Sequence, residues 1–511
     1  MNPEIPKEVQ EVAKTLTGAG FEAHLVGGCV RDLVLGREPK DWDIATNATP
    51  KEMLAIFEDS VYENNFGTVG VKTRSENPKL AVVEVTTYRV EGKYTDKRHP
   101  DEVKFAKTIE EDLSRRDFTI NAMAVALQRA DSKEQIVDPF EGREDLKKKV
   151  IRTVGKPEER FNEDALRLMR AIRFATELGG SSAGRASPEA LPAARGGPVS
   201  GWHIDPATRK AVAAQAELLA MIAKERIRDE FVKIIEAPQA AKGVLLLEDT
   251  GLLKHIMLEL REGIGVSQNK HHIYEVFEHH VRSLDYTAKQ GYQLHVRLAA
   301  LLHDLGKPKT KGGEGLDATF YGHEMVGARM AVKALERLKF SKDIIEQVAH
   351  LVRYHMFYYN VGEVSPAGVR RFLARVGPET VPDLIRLREA DRIGSGVPKA
   401  VPYKLRHFLF MIEKVKRDPV SPKMVVVKGD SVMRILGIPP GPRVGWILNI
   451  LLEEVLEDPK RNTKEYLEGR VQELGALTDA KLKALAEGAR HAKDEFEGGV
   501  EKDMKSKYHV T

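Results

Sequence analysis

The sequence contains a single cysteine, Cys29, among its 511 residues, so no disulfide can form within the chain. It has no apolar run of about 18 residues, the length that a membrane-spanning helix needs. Its opening residues, MNPEIPKEVQ, lack the apolar core of a secretory signal peptide. These absences predict a cytoplasmic protein rather than a secreted, disulfide-rich or membrane-spanning one.

Neither sign of charge is in clear excess, because 80 basic residues face 76 acidic ones and the net charge is only +4. Such a balance does not by itself indicate a nucleic-acid partner, so any RNA-binding basic residues must be clustered. Apolar residues make up 42% of the chain, which is enough to form cores. The length suggests three or four domains.

The most informative stretch covers residues 25–46, LVGGCVRDLVLGREPKDWDIAT. Two adjacent glycines, Gly27 and Gly28, stand between a predicted strand and a predicted helix, where backbone N–H groups can approach a phosphate. Asp41 and Asp43 follow on a second predicted strand, where a spacing of two puts both carboxylates on one face. A phosphate cradle beside paired carboxylates suits phosphoryl or nucleotidyl transfer. Either half alone is common in ordinary loops.

The two halves in order, GGCVRD and then DWDIAT, resemble the tRNA nucleotidyltransferase and poly(A) polymerase family, specifically its bacterial-type (class II) CCA-adding enzymes. The resemblance implies Mg²⁺ on Asp41 and Asp43 and a triphosphate held by Gly28 and Arg31. The family often has a third acid on a neighbouring strand, which makes Glu84 a candidate. A surface acid on an edge strand accounts for Glu84 equally well.

A second motif, RRDFTINA, contains Arg116, Asp117 and Asn121. Asp117 and Asn121 are four residues apart, which would place them on one face of a helix. A carboxylate and an amide suit ribose hydroxyls, and Arg116 suits a phosphate. A charged helix start is the simpler interpretation of these residues alone, but the run closely resembles the family's second motif.

Residues 157–179, PEERFNEDALRLMRAIRFATELG, predict one strong helix. Asp164 and Arg167 would share a face and could bond the base edges of cytosine and adenine, while Arg170 and Arg173 could meet phosphates or RNA. Residues at this spacing usually form only a solvated, self-paired face. EDALR, however, resembles the family's nucleotide-selection motif.

Two segments bear on how closely the chain follows this family. Residues 88–105 are polar and predict a loop, and the resemblance implies that such a loop serves addition of the terminal A. Residues 179–201 are rich in Gly, Ser, Ala and Pro. They predict a loosely held insertion that the family normally lacks.

Histidines crowd together after residue 270, and the pair HD ends an apolar helical run in HVRLAALLHDLGK. Imidazoles and carboxylates at these intervals suit one or two divalent ions, without deciding which metal. The set resembles an HD-type metal-dependent phosphohydrolase, and a degenerate HD scaffold is the alternative. The predicted ligands are His279, His303, Asp304, His323, His355 and Asp391.

Together these patterns predict an α+β chain: a nucleotidyltransferase head with a small mixed sheet at 1–150, a helical neck at 151–265, an HD domain at 266–400 and a helical tail at 401–511. The resemblance implies addition of C, C and A to tRNA from CTP and ATP, with an added hydrolase activity. Two relatives of the same fold, an A-adding enzyme and a poly(A) polymerase, stay open as alternatives. So does an RNA-binding HD phosphohydrolase with an inactive head.

Overall fold

A computed structural model describes residues 4–62, 67–91, 103–127, 136–179, 201–269, 272–357, 359–362, 364, 366–417 and 425–488. Two compact units are present, one formed by 1–355 with 386–398 and the other by 356–385 with 399–511. The loop predicted over 88–105 is wrong at both ends, because Arg89–Glu91 and Val103–Phe105 form a pair of antiparallel strands. Residues 92–102 and nearly all of the 179–201 insertion lie outside the described residues, so the predictions for them stay untested. None of the described helices is long and apolar enough to cross a membrane.

The described strands are short. They are β1 (His24–Val26), β2 (Asp43–Thr46), β3 (Ser60–Tyr62), β4 (Thr68–Lys72), β5 (Val82–Thr87), β6 (Arg89–Glu91), β7 (Val103–Phe105), β8 (Ala124–Ala126), β9 (Ile136–Val137), β10 (Val150–Ile151) and β11 (His203–Ile204). Their alternating valines and threonines, as in TVGVK and VVEVTT, favour this extended backbone.

The main sheet has the order β3-β4-β5-β2-β1-β8-β9. All of its neighbouring strands are antiparallel except β2 and β5, which run parallel with Asp43 opposite Glu84. The mixed sheet confirms the predicted α+β class. It also brings two candidate acids side by side from strands that are distant in the chain.

Helices make up most of the remaining described chain. They are α1 (Lys7–Gly18), α2 (Gly28–Val34), α3 (Pro50–Ile56), α4 (Ile109–Ser114), α5 (Gly142–Lys148), α6 (Pro157–Glu163), α7 (Arg167–Glu177), α8 (Pro206–Ala214), α9 (Lys224–Glu236), α10 (Ala240–Asp249), α11 (Leu253–Ile256), α12 (Leu258–Arg261), α13 (Val276–Lys289), α14 (Leu294–Leu302), α15 (Lys307–Thr310), α16 (His323–Arg337), α17 (Lys342–Tyr354), α18 (Pro366–Val376), α19 (Val381–Gly394), α20 (Tyr403–Arg417), α21 (Gly429–Leu436), α22 (Pro442–Glu457) and α23 (Lys464–Gly475).

Local sequence determines where several of these helices begin. Thr49 and Glu52 form a reciprocal capping box at the start of α3, and Thr108 and Glu111 do the same for α4. Helix α14, LHVRLAALL, is apolar nearly all round and is correspondingly buried. It therefore forms a fixed support for the His–Asp pair that follows its last residue.

The second unit has its own apolar cores. In one, α18 and α20 enclose buried side chains that include Val369, Leu373 and Phe408. In the other, α21, α22 and α23 pack around Val432, Leu451 and Val471 among others. Each core is built from helices that would expose an apolar face alone. The domain boundaries at 150, 265 and 400 stay predictions.

Candidate functional site

The acids of the head meet at the start of β2. Asp43 is the first residue of that strand and lies opposite Glu84 of β5, while Asp41 precedes the strand. The prediction that both aspartates belong to one strand is therefore wrong, because β2 begins only at Asp43. Burial raises the pKa of Asp43, Arg116 lowers it and Asp41 raises it again. The charges of Arg116 and Asp41 therefore both act on the carboxylate of Asp43.

The glycine turn brings a third motif to the same place. Gly27 has a φ of 76° and caps the start of α2. A Cβ on Gly27 would lie 2.9 Å from Nη1 of Arg116 and 3.9 Å from Oδ2 of Asp43. Gly27 thus lies against Arg116 and Asp43, and Gly28, which is expected to hold the triphosphate, is the first residue of the helix. Only glycine fits both the backbone angle and this space.

The predicted nucleotide-contacting residues form one connected network. Arg31 donates to Oδ1 of Asn121 at 3.0 Å, and Nδ2 of Asn121 donates to Oδ1 of Asp117 at 3.3 Å. Arg170 donates through Nε to Oδ2 of Asp117 at 2.7 Å. Burial alone would raise the pKa of Asp117, but Arg170 and Arg167 lower it to about 2. Asp117 is therefore a firmly ionised centre of this network.

The RRD motif differs from the predicted single helix. Helix α4 ends at Ser114, and a 3₁₀ turn covers Thr119–Asn121, so Asp117 lies between the two. Its side chain accepts from the backbone N–H of Phe118 and still meets Asn121. The predicted contact is present, although a turn rather than a helical face produces it.

The two residues expected to choose the base are also separated by a helix break. Helix α6 ends at Glu163, Asp164 is extended with φ −135° and ψ 107°, and α7 begins at Arg167. The single helix predicted here is therefore wrong. Asp164 pairs with Arg226 of α9, with Nη2 and Oδ2 2.9 Å apart and Nη1 and Oδ1 3.4 Å apart.

Arg167 is held separately from Asp164. Its Nη1 donates to Oε2 of Glu163 at 2.6 Å, and its Nη2 donates to the carbonyl of Arg115 at 3.2 Å. The two base-selecting candidates thus have different partners in this structure. Neither pairing was predicted from the sequence, although the motif EDALR itself contains Glu163 and was the available signal.

Arg170 and Arg173, expected to meet phosphates or RNA, pair with acids of the protein in this structure. Nε of Arg173 lies 2.9 Å from Oε2 of the buried Glu230, and Nη1 of Arg170 lies 3.9 Å from Oε1 of the same residue. Both guanidinium groups also lie over the ring of Phe174, at 4.3 and 5.2 Å from its centre. These contacts tie α7 to α9.

The second cluster is the predicted histidine–aspartate set. All six residues are between 0% and 8% exposed. Oδ2 of Asp304 lies 3.2 Å from Nε2 of both His279 and His303, and Oδ1 lies 3.2 Å from Nε2 of His323 and 3.6 Å from that of His355. One carboxylate therefore divides the four imidazoles into two pairs.

The sixth predicted ligand completes the first of these pairs. Oδ1 of Asp391 lies 3.4 Å from Nε2 of His279 and 3.8 Å from Nε2 of His303. The second oxygen of Asp391 accepts from Arg388 at 2.7 Å. The structure thus brings together every residue of the predicted set.

The Nε2 atoms of three cluster histidines have the tautomer that binds a cation. His303, His323 and His355 each have Nδ1 within 2.9 Å of a carbonyl three residues earlier. That hydrogen bond puts the proton on Nδ1 and leaves a lone pair on Nε2. The paired Nε2 atoms are 2.9 Å apart in His279–His303 and 3.3 Å apart in His323–His355. Two imidazoles on one ion, with metal–nitrogen bonds of about 2.0–2.1 Å, would be separated by about 2.9–3.4 Å.

The charges agree with this fit. Burial would raise the pKa of Asp304, but His303 and Lys307 hold it well below its usual range. Burial would lower the pKa of His303, but Asp304 raises it to about 10. The raised pKa of His303 shows that the surrounding carboxylates favour a positive charge at this place. A metal cation would supply the same charge there. The donor set therefore fits divalent ions.

Three nearby residues refine this description. Lys307 is buried, with Nζ 2.6 Å from Oδ2 of Asp304 and 2.5 Å from Oε1 of Gln268. His280 is buried beside the cluster and has no hydrogen-bond partner among the described residues. His272 was not among the predicted residues, although it lies in the crowded run of histidines: its ring centre is 5.0 Å from that of His279.

Family models match three parts of the chain. The poly A polymerase head domain matches residues 23–152, the probable RNA- and SrmB-binding site of polymerase A matches 201–263, and the HD domain matches 276–394. These ranges contain the carboxylate site, helix α9 and all six members of the histidine–aspartate set.

Individual relatives agree with these family models. The A-adding tRNA nucleotidyltransferase of Deinococcus radiodurans is 33% identical over 84% of this chain and 91% of its own. The CCA-adding enzyme of Geobacillus thermodenitrificans is 43% identical, and the match covers 48% of this chain and 53% of the relative. This chain therefore spans about half the length of the CCA-adding relative.

A solved structure, the CCA-adding enzyme of Bacillus stearothermophilus in complex with CTP, superposes with a TM-score of 0.56. It has 27% sequence identity and covers 93% of this chain and 98% of that one. The long match to the Deinococcus relative, the three matching family models and this fold lead to one conclusion. The chain is a nucleotidyltransferase of the tRNA nucleotidyltransferase and poly(A) polymerase family, in its bacterial-type (class II) branch with a C-terminal HD domain.

Proposed function

We propose that the head adds C, C and A to the 3′ end of tRNA, using CTP and ATP without a nucleic-acid template. The observation that carries this proposal is the meeting of Asp43, Glu84, Gly27 and Arg116 at the start of strand β2. In the reaction the 3′ hydroxyl oxygen attacks the α-phosphorus, and the bond from that phosphorus to the bridging oxygen breaks to release pyrophosphate.

Asp41 and Asp43 would hold Mg²⁺, with Glu84 as the third acid. A bound divalent ion supplies neutralising charge for the phosphates and activates the attacking hydroxyl. Arg116 lies beside Asp43 before nucleotide arrives, and it would move its charge onto the triphosphate as the nucleotide enters. Gly28 and Arg31 would cradle the same triphosphate.

Recognition of sugar and base would fall to the network behind the acids. Asn121 would bond a ribose hydroxyl, held by Asp117. Asp164 would accept from the exocyclic amino group that cytosine and adenine share, and Arg167 would donate to the adjacent ring nitrogen. Both must first leave their partners, Arg226 and Glu163. Arg170 and Arg173 would position α7 by pairing with Glu230, rather than contact RNA.

Addition of A alone is the second candidate. The long match to an enzyme named A-adding favours it, since that match covers 84% of this chain and the match to the Geobacillus CCA-adding enzyme covers 48%. The solved CCA-adding structure, with 93% coverage, favours the complete reaction. The polar 88–105 loop fits either reaction, because both include addition of A.

Defined tRNA ends separate these candidates. Purified enzyme is given tRNA that ends before CCA, or tRNA that ends in CC, with labelled CTP or ATP. Complete CCA addition predicts CTP incorporation on the first substrate and ATP incorporation on both when CTP is supplied. Labelling of only the CC-ended tRNA, by ATP, would establish an A-adding enzyme. Absence of labelling on both would leave an RNA-binding scaffold with an inactive head.

We further propose that the histidine–aspartate set is a phosphohydrolase centre for phosphomonoesters or 2′,3′-cyclic phosphates at RNA ends. The six residues of the set would hold one or two divalent transition-metal ions, with His279, His303 and Asp391 in one group of possible ligands and His303, Asp304 and His355 in another. Such ions supply a water of lowered pKa as nucleophile. The test is hydrolysis of 2′,3′-cyclic AMP and p-nitrophenyl phosphate with Ni²⁺, Co²⁺, Mn²⁺ or Mg²⁺. Metal-dependent turnover that a chelator abolishes is expected, and no turnover with any metal would contradict the proposal.

A further inference from the structure

His279 lacks the hydrogen bond from Nδ1 to a backbone carbonyl that His303, His323 and His355 all have. His303 and His355 each follow the last residue of a helix, and His323 begins one, so an accessible carbonyl lies beside each Nδ1. His279 instead lies in the first turn of α13. The carbonyl three residues earlier, on Val276, belongs to the helical hydrogen-bond pattern.

Nδ1 of His279 is accordingly buried and has no hydrogen-bond partner among the described residues. A histidine that binds metal through Nε2 almost always donates its Nδ1 proton to an acceptor, which fixes both the tautomer and the ring orientation. His279 therefore needs an acceptor from outside its own helix.

His272 has an acceptor atom and lies beside His279. Oγ of Ser395 lies 2.8 Å from the carbonyl oxygen of Asp391 and 3.0 Å from Nδ1 of His272. With its single proton donated to that carbonyl, the hydroxyl oxygen accepts from Nδ1 of His272. With the proton on Nδ1, Nε2 of His272 has a free lone pair. The rings of His272 and His279 meet at 86°, with centres 5.0 Å apart.

The segment that carries His272 is docked against the end of α19. Ser395 is 7% exposed. A Cβ on the next residue, Gly396, would come within 2.5 Å of Cδ1 of Ile273, so the two segments are in close contact there. Gly396 also has a φ of 87°, which an L side chain rarely adopts. His272 is therefore held by two adjacent contacts rather than by one.

We propose that His272 is a positioning residue that accepts the Nδ1 proton of His279. The resulting chain runs from His279 through His272 and Ser395 to the carbonyl of Asp391, so it joins two members of the metal-binding set that lie on different helices. Nδ1 of His279 has no partner among the described residues, so a rotation of either ring on metal binding would complete the hydrogen bond. The inference rests on the proposed function, since it assumes that the cluster binds metal.

The test is titration of the metal-free full-length protein with Co²⁺ at one fixed pH, followed by the visible absorption of the bound ion. Loss of an outer hydrogen bond to a metal-bound histidine typically weakens affinity 10–100-fold. We expect this loss for His272→Phe, which keeps a ring and removes both nitrogens. His272→Gln, which keeps an acceptor, should recover part of the affinity. Ser395→Ala should weaken binding by a smaller factor and shift the spectrum.

His350→Phe is the matched control, because His350 is a partly exposed histidine of α17 that belongs to neither metal-binding pair. It should bind Co²⁺ as the wild type does. Nucleotide incorporation by the head reports folding of each variant. Co²⁺ affinity of a folded His272→Phe within about threefold of the wild type would overturn the inference. Should that variant not fold, unchanged affinity in both His272→Gln and Ser395→Ala would overturn it. Absence of Co²⁺ binding in the wild type would instead contradict the proposed metal centre.

Discussion

The carboxylate site of the head and the histidine–aspartate cluster are built in opposite ways. In the head, Asp41 and Glu84 are exposed, Asp43 is partly buried, and the neighbouring arginines are bound to other acids. In the cluster, all six side chains are nearly inaccessible and face one another. The first arrangement suits a site that a large substrate must complete. The second suits a site prepared in advance for small cations.

The two sites also differ in how their positively charged side chains are paired. Arg116 is held by the buried Asp112 at 3.1 Å, and Arg226 is paired with Asp164. These arginines are therefore paired with protein carboxylates, and a bound triphosphate or base would replace those carboxylates as their partner. In the cluster, imidazoles surround two carboxylates, and a metal ion would replace protons there rather than arginine side chains.

The largest expected effect comes from removing the charge of an acid in the carboxylate site of the head. Asp43→Asn should reduce nucleotide incorporation on the order of 10³-fold, since it removes a preorganised charge from the reacting centre. The measurement is transfer of labelled CTP or ATP to tRNA. Asp59→Asn is the matched control, because Asp59 is an exposed aspartate of the same head paired with Arg74. A similar loss in the control would show a general effect of removing a carboxylate.

A smaller effect is expected from changing Asp164, the residue proposed to recognise the base of the incoming nucleotide. Asp164→Ala should lower kcat/KM for CTP and ATP about 10–100-fold and weaken discrimination against UTP, because the acceptor for the exocyclic amino group is lost. The measurement is competition between labelled CTP and unlabelled UTP. Asp229→Ala, an exposed aspartate of α9, should leave discrimination unchanged. Retained discrimination in Asp164→Ala would contradict the proposed role.

The smallest effect concerns stability. The pKa of Asp117 falls from 3.8 to about 2 in the folded protein. Its ionised form therefore stabilises the fold by about 2 kcal/mol above pH 4, and this contribution is lost as the pH falls toward 2. Asp117→Asn should lower the thermal unfolding midpoint at pH 7 and differ less from the wild type at pH 3. An equal difference at both pH values would contradict this origin of the stabilisation.

The sequence predicted the cluster more completely than the head. Histidine and aspartate seldom interrupt apolar helical runs unless they pair with each other or bind a metal, and all six predicted ligands do meet in the fold. In the head, short motifs were assigned to regular elements that the structure interrupts. Asp41 precedes its strand, Asp117 lies in a turn, and Asp164 lies between two helices.

Those breaks could not be read from periodicity, because an apolar pattern of helical spacing continues through Asp164. Tertiary partners decide the local backbone there: Arg226 reaches Asp164 from a helix about sixty residues further along the chain. His272 was missed for a related reason. Its role depends on Ser395, which is distant in sequence and has no distinctive motif.

The central claim is that the chain holds two independent sites, and one paired assay tests it most directly. Wild type, Asp43→Asn and Asp304→Asn are each assayed for labelling of tRNA and for metal-dependent hydrolysis of 2′,3′-cyclic AMP. The two-site account predicts that Asp43→Asn loses labelling and keeps hydrolysis, whereas Asp304→Asn loses hydrolysis and keeps labelling. Loss of both activities in either variant, with the unfolding midpoint unchanged, would contradict it.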